Sequence, residues 1–324
     1  MKKILIIRFS SIGDIVLTTP VIRCVKQQLD VELHYLTKAS FSGLLENNPY
    51  VDRVHSIVKD IDKALIEQLK AEQFDQVIDL HNNLRTLRLK SALKVPSKSF
   101  PKLNIQKWLL VTFKVRKMPD VHIVDRYLET VKHLGVLNDG EGLDYFIPKG
   151  SVVEVNRLPE THAQGYVAVV IGGQHATKMM PLSKLIEVCK ALKSPVVLLG
   201  GPEDAAKGEA ISDAIGPQVF NACGKFKLDE SASLVQQALW VISHDTGLMH
   251  VAAAFKKRIV SVWGNTVPEL GMYPYLSDAS SKMVEIKNLS CRPCSKIGFS
   301  KCPKKHFKCM DHDVDDIVNE LQRF

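Results

Sequence analysis

At 324 residues and 45% hydrophobic content, the chain carries enough apolar material for the cores of two domains of ordinary size. Its formal charge of +8 and pI near 9.0 favour anionic partners, yet basic stretches such as 85–90 and 107–117 come without zinc-finger, RNP or basic-zipper patterns, so phosphorylated sugars or an acidic membrane surface are expected and nucleic acid is not. No apolar run reaches the roughly 20 residues of a spanning helix, the opening Met1 to Arg8 turns charged too early for a secretory signal, and seven cysteines, an odd number, argue against a disulfide framework; a soluble cytoplasmic chain is expected.

In chain order, Ile4 to Ile7 reads as a short buried strand, Ser10-Ser11-Ile12-Gly13-Asp14 as a turn, and Ile15 to Leu29 as a helix. Strands follow at 31–36, 53–58 and 76–80, with helices over 41–46, 61–72 and 83–93. The stretch from Pro148 to Gly165, rich in proline, glycine and polar residues, reads as an interdomain linker. Beyond it the pattern resumes, with strands at 166–171, 195–199, 218–221, 240–243 and 258–262 and helices over 182–192, 205–215, 228–239 and 246–255. This alternation predicts an α/β protein of two doubly wound, Rossmann-like domains facing across a cleft: residues 1–150, then 151–310. A last amphipathic helix is expected over 311–324, with Val314, Ile317, Val318 and Leu321 on one face, packing back on the first domain.

Chemistry-bearing residues gather where strands turn into helices. Asp14 follows the first strand, and either it or a neighbouring serine caps the helix, or it presents a reactive carboxylate. Ser243-His244-Asp245-Thr246-Gly247-Leu248-Met249-His250 opens a helix whose amides and dipole suit a diphosphate, although Asp245 as a plain N-cap and His250 as a packed residue fit the same letters. Lys178, in the loop from Gly172 to Pro181, is either a point charge for phosphate or a solvated lysine. Glu203, after Leu199-Gly200-Gly201-Pro202, either accepts bonds from ribose hydroxyls or begins a helix. Neither half contains a dinucleotide G-x-G-x-x-G after its first strand or a phosphate-loop G-x-x-x-x-G-K-[ST], which weighs against a dehydrogenase and an ATPase. Cys291-x2-Cys294-x7-Cys302-x6-Cys309 has a zinc-like first spacing but no standard overall pattern, and structural zinc, free thiols and redox-sensitive pairs all stand.

The opening R-F-S-S-I-G-D-I-V-L-T-T-P, the K-M-M-P loop, the L-G-G-P-E-D turn and S-H-D-T-G-L-M-H, in this order, resemble glycosyltransferase family 9, which contains the ADP-heptose:lipopolysaccharide heptosyltransferases. The resemblance covers nearly the whole chain. It implies a GT-B fold with the acceptor domain first and the nucleotide-sugar domain second, and transfer with inversion, without a catalytic metal or other cofactor. It makes Asp14 the general base and Lys178 a catalytic cation for the leaving diphosphate, with Ser11, Gly13, Thr177, Lys178, Glu203, Asp245, Thr246, Gly247, Leu248 and His250 on the donor side. The acceptor side falls to His81, Asn82 and Arg85, where His81-Asn82 replaces the family's usual glutamine-glycine pair. The implied partners are an ADP-sugar donor and a phosphorylated, lipid-linked saccharide acceptor at the inner face of the cytoplasmic membrane. Two alternatives remain open: another nucleotide sugar or acceptor on the same scaffold, and a non-catalytic nucleotide-sugar-binding protein, against which the retained Asp14 speaks.

Overall fold

Ile4 to Ile7 are buried on both faces of the strand they form, which only a strand covered by helices on either side can satisfy. In the computed structural model, which describes residues 1–322, this strand, β1 (Lys2–Ile7), is the centre of a five-stranded parallel sheet with β2 (Val31–Lys38), β3 (Arg53–Ile57), β4 (Gln76–Asp79) and β5 (Ser97–Ser99). The order is β3-β2-β1-β4-β5, with Ile4 beside both Leu33 and Gln76. The chain therefore winds outward in one direction from β1 and in the other from β4, and the loops leaving β1 and β4 flank the switch point where α/β sheets bind ligands. One face is sealed by Leu5, Ile7 and Leu36 with Leu65, Leu69, Phe74 and Leu89.

The first helix is two. Ile12–Val16 stops and Thr19–Gln28 begins, with Thr18 as cap and Pro20 in the new first turn. Proline has no N–H to donate and its ring collides with the carbonyl four residues back, so one continuous helix cannot form. The hydroxyls of Thr18 and Thr19 donate to the carbonyls of Ile15 and Val16 at 2.7 and 2.8 Å.

The second sheet has six parallel strands in the order β11-β10-β9-β6-β7-β8. They are β6 (Val167–Val170), β7 (Val196–Leu199), β8 (Val219–Asn221), β9 (Trp240–His244), β10 (Ile259–Trp263) and β11 (Lys282–Glu285). Its switch point lies between β6 and β9. Edge strands β5 and β11 and helices Asn104–Phe113 and Ile123–Leu128 have no counterpart in the sequence-based expectation.

The chain divides into two units, Met1–Lys102 with Val121–Phe146, and Leu103–Asp120 with Ile147–Phe324. Helix Asn104–Phe113 thus belongs to the second unit, where Leu110 packs with Val267 and Leu270. The terminal helix, expected on the first unit, also packs on the second. It is a helix over Val314–Val318 continued by a 3-10 turn over Asn319–Gln322, and Ile317, Val318 and Leu321 are buried in the core that holds Leu185 and Val188, because that core offers an apolar surface beside helix Leu182–Ala191. The end of the expected helix, residues 323 and 324, lies outside the described residues. The expected linker is a run of short 3-10 turns at Lys149–Ser151, Val155–Arg157 and Glu160–His162.

Candidate functional site

Each switch point carries one cluster of charged side chains. In the first unit, Ser11 caps helix Ile12–Val16 and Asp14 is the third residue of that helix. One carboxylate oxygen of Asp14 accepts from the Ser11 amide at 3.1 Å and from the Ser11 hydroxyl at 2.9 Å; the other meets a guanidinium nitrogen of Arg8 at 2.6 Å. Asp14 is therefore not the cap but the cap's partner, and its side chain keeps some exposure.

Arg8 is buried and fixed on every side, donating to the carbonyls of Ser10 and Leu80 and to the Tyr127 hydroxyl. Burial pushes the Tyr127 phenol up to about 12 even though the adjacent Arg8 charge pulls the other way, so it stays neutral and serves as an acceptor for Arg8. The sequence motif included Arg8 without giving it a role; the structure makes it the counter-ion that aims Asp14.

Across the switch point, buried Asp79 closes the turn after β4 by accepting from the amides of His81 and Asn82 and pairing with Lys90 at 2.8 Å. His81 stacks against Phe9 with ring centroids 4.6 Å apart, and Arg85 lies over the same Phe9 ring. Burial first, then the nearby Arg8 charge, push the His81 imidazole down to about 4, so it is neutral near pH 7. Its Nδ1 has no hydrogen-bond partner among the described residues. The Asn82 side-chain amide donates to the Phe100 carbonyl, so His81 and Arg85 lie on the Phe9 ring while Asn82 ties two loops together.

In the second unit, the loops leaving β6 and β9 meet through Lys178 and Asp245, whose Nζ and Oδ2 are 2.7 Å apart. Asp245 also accepts from the Thr266 hydroxyl at 3.0 Å, and buried Arg292 donates to the Thr266 carbonyl at 2.8 Å. Arg292 lies inside the cysteine-bearing segment, so that segment braces the site. His244 accepts the Met180 amide proton through Nε2 at 2.9 Å; full burial drives its imidazole down to about 3, which keeps this acceptor lone pair available. Met180 and His244 thus pin the lysine loop to β9, a contact that no motif announced.

Thr246, Gly247 and Leu248 are half-buried at the start of helix Gly247–Ala254, and the Thr246 side chain makes no cap bond to it, which leaves first-turn amides suited to an anion. Thr177 is 2% exposed; its hydroxyl and amide both bond to the Phe299 backbone, so it fixes the loop. His250 is a buried residue of the same helix. Glu203 is exposed over Gly201, while Asp204 beside it turns inward and accepts the Gly201 amide. Gly172 and Gly200 make room for this carboxylate: a β-carbon at Gly172 would lie 2.2 Å from Asp204 Oδ2.

The described cysteines are all free thiols, and Cys291, Cys294, Cys302 and Cys309 do not bring three ligand atoms together. Cys291 Sγ sits 3.7 Å from His306 Nε2; burial raises the Cys302 thiol, but the amides of Phe307, Lys304, Lys305 and His306 more than reverse this and leave it below its ordinary value. His34, His55 and Glu72 do come within 4.8 Å of one another. That group is already closed: His34 bonds His55 and Glu32, while Lys3 and Arg53 neutralise Glu72, so a cation there would face two standing positive charges.

The profile of glycosyltransferase family 9 (heptosyltransferase) matches residues 63–304. The chain belongs to glycosyltransferase family 9. It is 23% identical over 296 residues to lipopolysaccharide heptosyltransferase 1 of Campylobacter coli, covering 82% of this chain and 84% of that one. Among solved structures, Escherichia coli ADP-heptose lipopolysaccharide heptosyltransferase II superposes with a TM-score of 0.73 at 20% identity, over 99% of this chain and 98% of that one. Escherichia coli heptosyltransferase WaaC, solved with ADP-2-deoxy-2-fluoro heptose, gives 0.68 at 18% identity over 99% of both chains. The fold of this family 9 glycosyltransferase is GT-B, and the two sheets are its two Rossmann-like domains.

Proposed function

We propose that the enzyme moves a heptose from an ADP-activated donor onto the inner core of lipopolysaccharide, with inversion and without a catalytic metal. The observation that carries the reading is the pair of strand-end clusters: a carboxylate aimed by a buried arginine in one unit, and a lysine held at a helix N-terminus in the other. Asp14 takes the proton from the acceptor hydroxyl as the hydroxyl oxygen attacks the anomeric carbon and the bond to the diphosphate breaks. Lys178 and the amides of Thr246, Gly247 and Leu248 stabilise the negative charge that grows on the departing ADP. Asp245 holds the Lys178 ammonium in place before the donor arrives. Glu203 faces the ribose, Ser11 and Gly13 line the donor sugar, and Thr177 and His250 act from behind by fixing the loop and the helix. Neutral His81, with Arg85 beside it, receives the acceptor, whose lipid anchor puts the reaction at the inner face of the cytoplasmic membrane.

Relatives named as lipopolysaccharide heptosyltransferases support the sugar and the acceptor class, and the neighbour holding an ADP-heptose analogue supports the donor. Among the described residues no helix is long and apolar enough to cross a membrane.

The test is a nucleotide panel. ADP should raise the melting temperature more than UDP or GDP, by about 2.7 kcal/mol of added stability at a concentration one hundredfold above its dissociation constant. Lys178→Ala should shrink that shift and slow acceptor-dependent ADP release together. A panel in which ADP produces no shift removes the donor assignment.

A further inference from the structure

Helix Asn104–Phe113 is apolar on two sides and only one of them is used. Leu110 is buried against Val267 and Leu270. Ile105 and Trp108, three residues apart and so on a shared face, stand 72% and 56% exposed, and Phe113 follows at 59%. The Trp108 and Phe113 rings meet edge to face with centroids 5.1 Å apart, so the exposed side chains form a continuous patch and not scattered single residues.

The segment that carries the patch has a net positive charge. From residue 103 to 120 the chain carries Lys107, Lys114, Arg116 and Lys117 against the single acid Asp120. Arg116 is answered by Glu269, and Lys114 donates to the carbonyls of Val111 and Pro293, which pins the end of the helix to the body of the second unit. A rigidly mounted ring pair with lysines beside it matches the boundary between lipid headgroups and acyl chains, where aromatic rings bury their apolar part and ammonium groups stay with phosphate. The ten-residue helix is too short to span a bilayer and suits one that lies in the interface.

We propose that Ile105, Trp108 and Phe113, with Lys117 beside them, form the surface by which the enzyme docks on an anionic bilayer. This deepens the reading of a membrane-anchored acceptor and rests on that reading for its purpose. The positive field concentrates the protein at the headgroups, and the two rings and the isoleucine then enter the interface.

Tryptophan fluorescence reads this contact directly, because the chain has three tryptophans and the other two, Trp240 and Trp263, are buried. With acceptor-free vesicles of phosphatidylcholine and phosphatidylglycerol, the wild type should sediment with the lipid, show a blue-shifted emission and release in high salt. Pure phosphatidylcholine should bind it far less. The double variant Trp108→Ser with Phe113→Ser should lower partition by about 100-fold, roughly tenfold for each aromatic side chain withdrawn from the interface, while the ADP-induced melting shift stays unchanged. Trp108→Phe covers the case in which the double variant does not fold: it should keep the partition and lose the blue shift. Absence of wild-type binding to the anionic vesicles overturns the proposal, as does a folded double variant that binds like wild type. Lipid-free self-association that the double variant abolishes, with no vesicle binding, also overturns it by making a second copy the occupant. Loss of the ADP response in the wild type sinks the transferase reading instead, and the vesicle measurement is independent of it.

Discussion

Asp14 is held by the Ser11 amide and hydroxyl and by the Arg8 guanidinium, and this changes what its replacement should do. From sequence, Asp14→Asn is a size-conserving swap that spares the helix cap. In the structure the carboxylate also neutralises Arg8, which is buried and whose other hydrogen bonds go to two backbone carbonyls and a phenol. Removing the charge leaves a guanidinium without its counter-ion, and the partial exposure of both side chains keeps the cost below that of a deeply buried pair, at about 1–3 kcal/mol. We therefore expect Asp14→Asn to lose acceptor-dependent turnover by about 10²–10⁴-fold and to melt several degrees lower, while ADP still stabilises it. Transfer within tenfold of wild type, measured well below the melting point, would return Asp14 to a purely structural role. The strand-end position of Asp14, Lys178 and Asp245 was legible because an apolar strand followed by a small-residue turn and a helix can present its polar residues only there. Arg8 and His244 were not legible as partners. A charged or aromatic residue flanking a strand says nothing by itself about which distant carbonyl, phenol or amide it will meet.

At the level of elements, sequence periodicity located the buried strands and missed what is short or exposed. β5 is fully exposed along Ser97–Ser99 and is recruited only by pairing with β4, so it carries no apolar signal. The first helix was read through Pro20 because apolar spacing continues on both sides of the break, while the proline's steric effect acts on the backbone alone. The glycines after β6 and β7 show the same limit: their letters suggest approach by a ligand, and the structure gives Gly172 and Gly200 the nearer task of seating Asp204. Gly172→Ala should accordingly cost about 1–3 kcal/mol, since its β-carbon would fall 2.2 Å from a carboxylate oxygen and 3.2 Å from the Gly200 backbone. Gly150→Ala, where a β-carbon meets nothing within 4 Å, is the control and should change melting little. Equal melting temperatures for the two variants would mean that the Asp204 turn is not tightly packed.

For the molecule as a whole, alternation of strands and helices revealed two parallel sheets, because only sheets covered on both faces need strands apolar throughout. Which core a given amphipathic helix joins is not written in its own periodicity, and that is why 103–120 and the terminal helix end in the second unit against expectation from chain order. Burial across both units also sets how stability responds to acid. His55, His81 and His244 are driven by burial to about 4, about 4 and about 3, against 6.5 for a free imidazole. Between those values the unfolded chain binds protons that the folded chain refuses, so stability is fully present above about pH 6.5 and is lost as pH falls toward 4, by up to about 1.4 kcal/mol per pH unit for each histidine. Asp139, lowered to about 2 chiefly by its hydrogen bonds with Arg23, extends the loss to still lower pH, and Asp204, raised by burial, opposes it. Melting temperature should thus hold a plateau above pH 7 and decline steadily from pH 6.5 to 4.5. His244→Gln keeps an acceptor for the Met180 amide and removes one titrating group, so its decline should be shallower even if its plateau is lower. A wild-type profile that stays flat across that interval would show that these imidazoles take up protons without unfolding, and the buried, neutral state assigned to them would have to be abandoned.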